Sequence, residues 1–129
     1  MFSSFCVGCV FFFCGGFISD GNDLGTGVTV DSSNNIYVTG HTGGSLVNNI
    51  TTVNDIFLVK YNSSGTKQWT KQFGSTSADS AVGVSADLAG NIYISGYTSG
   101  ALPGNSNLGS NDAFVAKYSS SGTLQWIKQ

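Results

Sequence analysis

His41 is the one histidine in the chain, and its seven acidic side chains are all aspartates. An imidazole within reach of a carboxylate is the usual general acid–base pair, and two carboxylates in unlike surroundings within one cleft are the usual hydrolytic pair. The spacing argues against both. Six of the seven aspartates recur at matched positions, Asp23 with Asp79, Asp31 with Asp87 and Asp55 with Asp112. Residues that recur once per repeat occupy equivalent places in successive units, so they cannot take different roles in one cleft. Hydrogen bonding at turns and strand ends is their expected work. His41 stands where the other copy has Tyr97, and no Ser/His/Asp order, nucleophile elbow or phosphate-cradling glycine loop accompanies it. It is expected to be a solvated residue of a rim loop, and no catalytic residue is assigned.

Metal chemistry fares no better. Asp31-x-Ser33-x-Asn35 has the alternating oxygens of a calcium loop, but Ala89 stands at the place of Ser33 in the second copy, and the bidentate Glu and central Gly are absent. Cys6, Cys9 and Cys14 are all the cysteines, one ligand short of a structural zinc site. They read as small hydrophobes in an apolar stretch. No metal and no cofactor are therefore expected. Asn49-Ile-Thr51 and Asn62-Ser-Ser64 fit the N-glycosylation pattern, which matters only in a eukaryotic secretory pathway.

Only 9% of residues are charged, with five lysines, no arginine and a net charge of -2. Nucleic acid is excluded as a partner, because phosphate recognition needs a basic face and arginine forks. The polar surface is instead Ser, Thr and Asn, which leans toward an extracellular or cell-surface setting. Residues 1–22 form an apolar segment without a basic start. It reads as the degraded last strand of a preceding blade-like unit or as a signal-like leader, and a membrane contact is expected only if it serves as an anchor.

The elements that would position any site come from an internal repeat. Asp23-Leu-Gly-Thr-Gly-Val-Thr-Val-Asp31 matches Asp79-Ser-Ala-Val-Gly-Val-Ser-Ala-Asp87, and Asn35-Ile-Tyr-Val-Thr-Gly40 matches Asn91-Ile-Tyr-Ile-Ser-Gly96, both 56 positions apart. Asp55-Ile-Phe-Leu-Val-Lys-Tyr61 and Ser64-Gly-Thr-Lys-Gln-Trp69 recur 57 positions on, so one residue is gained between Tyr97 and Asn111. A surface loop tolerates such a change while flanking strands hold register. Eighteen glycines and a single proline suit short strands and tight turns.

Four strands are predicted per copy: 27–30, 36–40, 56–61 and 67–73, then 83–86, 92–97, 113–118 and 124–128. Val28, Val30, Ile36, Val38, Phe57 and Val59 show the period of two expected of faces buried between sheets. Trp69 and Trp126 offer large rings for the gap between units. Lys60, Lys71, Lys117 and Lys128 recur by repeat and read as outward residues that keep edges soluble.

The segments GVTVDSSNNIYVTG, GVSADLAGNIYISG, DIFLVKYNSSGTKQWTKQFG and NDAFVAKYSSSGTLQWIKQ resemble the SBBP β-propeller repeat of bacterial surface and secreted proteins, over about residues 23–129. The resemblance implies an all-β fold of two four-stranded antiparallel blades, 23–74 and 75–129, belonging to an incomplete β-propeller. It implies a structural or binding scaffold, not an enzyme. A fragment of a larger propeller, or a propeller-based carbohydrate-active enzyme lacking its catalytic part, is the alternative. Contacts with a protein or glycan partner are expected from the loops 40–54 and 96–111, with His41, Asn48, Asn49, Tyr97, Asn105 and Asn107 as candidate rim residues. Closed propellers have typically 4 to 8 blades, so self-association that covers open blade faces is also expected.

Overall fold

The computed structural model describes residues 19, 21–47 and 53–129. Eight strands follow one another: β1 (Asp23–Val30), β2 (Ile36–Thr42), β3 (Asp55–Tyr61), β4 (Lys67–Phe73), β5 (Asp79–Ala86), β6 (Ile92–Thr98), β7 (Asp112–Tyr118) and β8 (Leu124–Lys128). They form two antiparallel meanders, β1-β2-β3-β4 and β5-β6-β7-β8. The expected strands are all present. The first strand of each copy begins four residues earlier than predicted, because pairing with the second strand continues through a bulge at Gly25/Gly27 and again at Ala81/Gly83.

Local chemistry sets the turns. Asp31 Oδ1 accepts from the backbone N–H of Ser33 and Asn35 at 2.8 and 3.0 Å, and Asn34 adopts φ 62°. In the second copy Asp87 Oδ1 accepts from Asn91 N at 2.8 Å, and Gly90 takes the left-handed position at φ 81°. The turn after β3 is closed by Asn62 Oδ1, which accepts from Ser64 N and Thr66 N. Its counterpart after β7 uses Ser119 Oγ, which accepts from Thr123 N at 3.1 Å. An amide is exchanged for a hydroxyl, and the acceptor survives.

The two sheets stack face to face, with β5 lying against β1, β2 and β3. Tyr37, Ile56 and Leu58 from the first sheet meet Ala81, Ile92, Ile94, Phe114, Ala116, Tyr118 and Ile127 from the second in one buried cluster. Phe73 closes its outer side, edge-on to Phe114 at 6.2 Å and tilted on Tyr118 at 5.8 Å. Polar pairs stitch the rim of this contact. Thr26 Oγ1 donates to Ala81 O at 2.7 Å, His41 Nδ1 lies 2.9 Å from Ser80 Oγ, and Lys60 Nζ donates to Ser120 O at 3.0 Å.

These contacts change several assignments made from sequence. Lys60 is not simply an outward, solubilising residue: it passes over the Tyr37 ring, 5.4 Å from the centroid, and bridges to the other sheet. Val28 and Val30 are 66% and 53% exposed, although their alternation suggested burial, because the blade stacked on this sheet covers its opposite face. Trp69 is half-buried against the second sheet, while its counterpart Trp126 is exposed.

Candidate functional site

Antiparallel pairing gathers chemically similar groups at opposite ends of the stack. Asp23 pairs with Thr42, Thr42 with Asp55, and Ile56 with Phe73, so the long loop after β2 and the linker after β4 leave from one end. The same pairing, Asp79 with Thr98 and Thr98 with Asp112, places the loop after β6 at that end of the second sheet. The short Asp31 and Asn62 turns lie at the other end.

The loop-bearing end rests on a polar framework repeated in both sheets. Gln72 Oε1 accepts from Leu46 N at 2.8 Å, while its amide donates to Gly44 O and Asp55 Oδ2 at 3.0 and 2.9 Å. Gln129 repeats the clamp: its Oε1 accepts from Leu102 N at 2.9 Å, and its amide donates to Gly100 O and Asp112 Oδ2 at 2.8 and 3.1 Å. Thr42 and Thr98 each close a small turn by accepting from the N–H of Gly44 and Gly100 at 3.1 Å. Asp23 holds Ser19 through backbone and hydroxyl, and Asp79 holds Ser75 in the same way. Sequence reasoning missed the two glutamines. The signal was present as Trp-Thr-Lys-Gln72 and Trp-Ile-Lys-Gln129.

Asp55 Oδ1 is the one buried carboxylate oxygen without a hydrogen-bond partner among the described residues. It faces Gly74, whose hypothetical Cβ would stand 2.4 Å from Asp55 Oδ1 and 2.6 Å from Asp79 Oδ2. The two carboxylates thus crowd the start of the linker between sheets. No three of His, Cys, Asp and Glu assemble as metal ligands among the described residues.

The candidate rim residues separate into three groups. His41 lies within β2, not in the loop beyond it, and points into the contact between sheets toward Ser80. Tyr97 holds the equivalent place in β6 and is 43% exposed, on the uncovered face of the second sheet. Asn105 and Asn107 do lie in the loop after β6. Asn105 Oδ1 accepts from Gln129 N at 3.2 Å, and Asn107 bridges Ser99 O and Gly109 N. Both therefore brace the loop. Asn48 and Asn49 fall outside the described residues, as do Cys6, Cys9 and Cys14.

At the opposite end the aspartates are tuned by their turns. Burial draws the Asp31 carboxyl up, but donors from Asn35, Tyr37 and Ser33 outweigh it and hold the group below the usual carboxylate range. The Asn91 amide and backbone lower Asp87 likewise, helped by Tyr93. A lowered carboxylate saturated with local donors is a turn brace and a poor proton carrier.

The contact of one sheet with the next is the packing of successive blades: four-strand meanders, stacked face to face, with first strand against first strand. A family model described as SBBP, beta-propeller repeat, matches residues 16–46 and again 68–103, more than half of the chain. The chain belongs to the SBBP β-propeller repeat family. The second matched stretch begins in β4 and runs through β6, so the unit recognised in sequence straddles a blade boundary. A search of the curated proteins returned no match.

Proposed function

We propose that this SBBP propeller module is a non-enzymatic scaffold that binds a protein or glycan through the loops after β2 and β6. One observation carries the reading: both loops spring from the same clamped base, yet their free portions differ in length and sequence and present apolar side chains to solvent. Val53 is 66% exposed and Leu108 is 89% exposed. A rigid base with variable tips is how loops on a fixed framework acquire partners. The repeated aspartates support the non-enzymatic part, since their oxygens are largely engaged in holding loops and turns. The sparse charge and Ser/Thr/Asn surface support a place outside the cell.

The test exchanges residues 43–54 and 99–111 for short Gly-Ser connectors, singly and together, and measures retention on a glycan array and on fractionated cell-surface protein. Loss of a wild-type signal in the double exchange, with the strand spectrum by circular dichroism intact, is the expected result. A signal unchanged by both exchanges would place binding elsewhere.

A further inference from the structure

The repeat makes each blade its own control, because any surface on one copy has a counterpart on the other. The face of the first blade that carries Tyr37, Thr39, Ile56, Leu58 and Trp69 is covered by the second blade. The matching face of the second blade carries Tyr93, Ser95, Ala113, Val115 and Trp126, and it faces solvent: Val115 is 36% and Trp126 38% exposed. We propose that this open face docks the first blade of a second copy of the chain, head to tail.

The occupied contact shows what such a face accepts. Val84 of β5 stands over Gly27, 3.2 Å from where a Cβ would be, in a seat formed by β1, β2 and β3. The second blade has the same seat vacant, a groove of about 290 Å³ lined by Gly83, Ser85, Tyr93, Ser95 and Val115. The side chain equivalent to Val84 is Val28, and it is 66% exposed. Knob and seat are therefore both present and both unfilled.

A second pair repeats the logic at the outer strands. Gly122 lies buried on the Trp69 ring, with its hypothetical Cβ 3.0 Å from the indole, and only glycine fits so closely at φ 81°. Its counterpart Gly65 has the same left-handed backbone, φ 79°, and nothing among the described residues within 4 Å of that position. The ring it would cover, Trp126, is exposed. Lys117 also sits over Tyr93 at 5.5 Å as Lys60 sits over Tyr37, which leaves its ammonium placed to reach the Ser63 carbonyl of a second copy as Lys60 reaches Ser120.

Where the two copies of the motif differ, both partners differ together. The polar pair His41 and Ser80 inside the chain becomes Tyr97 and Leu24 between chains, 43% and 55% exposed. Phe57 and Val59, on the Val28 side of the first blade, are already buried within the chain. The contact between copies is thus made by β1 and by the turn after β3. The two surfaces are unlike, so the interface is heterologous and propagates until rotation closes it.

The experiment measures the mass of the intact chain by native mass spectrometry and by sedimentation velocity over rising concentration, alone and for two variants. The wild type is expected to form discrete multimers. Val28→Asp and Val115→Asp each leave one good surface, so each alone should be monomeric, and an equimolar mixture should give a heterodimer that grows no further. Leu24→Asp with Trp126→Ser provides an independent pair, and circular dichroism establishes that every variant used is folded. Leu88→Asp, at a 93% exposed turn position, should leave the multimers unchanged. A wild-type chain that stays monomeric at high micromolar concentration would overturn the proposal. So would folded variants that assemble like wild type, or a mixture that remains monomeric.

Discussion

A methyl group on Gly40 would stand 1.9 Å from the carbonyl oxygen of Leu24, and one on Gly96 would stand 2.0 Å from that of Ser80. Both carbonyls are brought close by the bulge in the neighbouring strand, and no rotamer change can move a backbone oxygen away. Gly40→Ala and Gly96→Ala should each cost about 3 kcal/mol or more, at the top of the range for overpacking, as measured by denaturant titration. The glycine pair was visible in the sequence as the ends of Ile-Tyr-Val-Thr-Gly40 and Ile-Tyr-Ile-Ser-Gly96. The reason for it was not, because the bulge that creates the crowding belongs to the partner strand.

The tyrosines give the residue scale a pH dependence. Burial raises the phenols of Tyr118, Tyr37 and Tyr61, and the Asp31 carboxylate adds to burial at Tyr37. Below the ordinary phenol value of 10.0 the folded and unfolded chains hold these protons equally. As pH rises past it the unfolded chain releases protons that the folded chain keeps, so stability falls with increasing pH. Absorbance at 295 nm should show these phenols ionising only with alkaline unfolding, and Tyr118→Phe should flatten the alkaline loss of stability. Titration of Tyr118, Tyr37 and Tyr61 near 10.0, with the fold intact, would contradict the burial assigned to them.

At the scale of elements, the long loops are held by strands distant in sequence. Gln72 reaches back 26 residues to Leu46, and Gln129 reaches back 27 to Leu102. Each clamp satisfies a loop N–H, a loop carbonyl and one carboxylate oxygen, on buried Asp55 in the first blade and on partly buried Asp112 in the second. Truncation strands those groups at roughly 1–3 kcal/mol each for partners that remain buried. Gln72→Ala and Gln129→Ala should lower the melting temperature and speed proteolysis within 43–54 and 99–111 respectively, with little effect on the loop of the other blade. Cleavage rates that stay at the wild-type level in both loops would show that the clamps do not anchor them.

The strands themselves were legible, because period-two alternation and Asp/Asn/Gly turns are local signals. Lys60 was misread for the opposite reason. Its role depends on a carbonyl 60 residues away in the next blade, and nothing in the spacing of lysines along one strand distinguishes a solvated head group from one that bridges two sheets.

The whole molecule turns on an asymmetry between equivalent positions. Leu58 and Val115 occupy the same place in the same repeat, yet Leu58 is fully buried and Val115 is 36% exposed. Sequence treats them alike, since the matching of copies assigns them one role; only the stacking order decides which face is covered. A charge at Leu58 would be buried with no partner of opposite sign on the surrounding apolar cluster, a cost beyond what a small domain can absorb. Leu58→Asp should therefore abolish cooperative folding, as followed by circular dichroism on heating. Val115→Asp should leave a folded chain with a melting transition close to that of the wild type measured below its assembly concentration.

Phe73→Ala extends the contrast, because it removes the ring that meets Phe114 and Tyr118 without placing a charge. Because Phe73 is only partly buried, it should cost about 2 kcal/mol, less than the roughly 3–5 kcal/mol of a fully buried aromatic. If blade contact is what stabilises each sheet, that loss should appear as one lowered transition for the whole chain. Two separate transitions in the Phe73→Ala variant would mean that each blade folds alone, and the stacking face would then be an interface between independent units instead of the core of one.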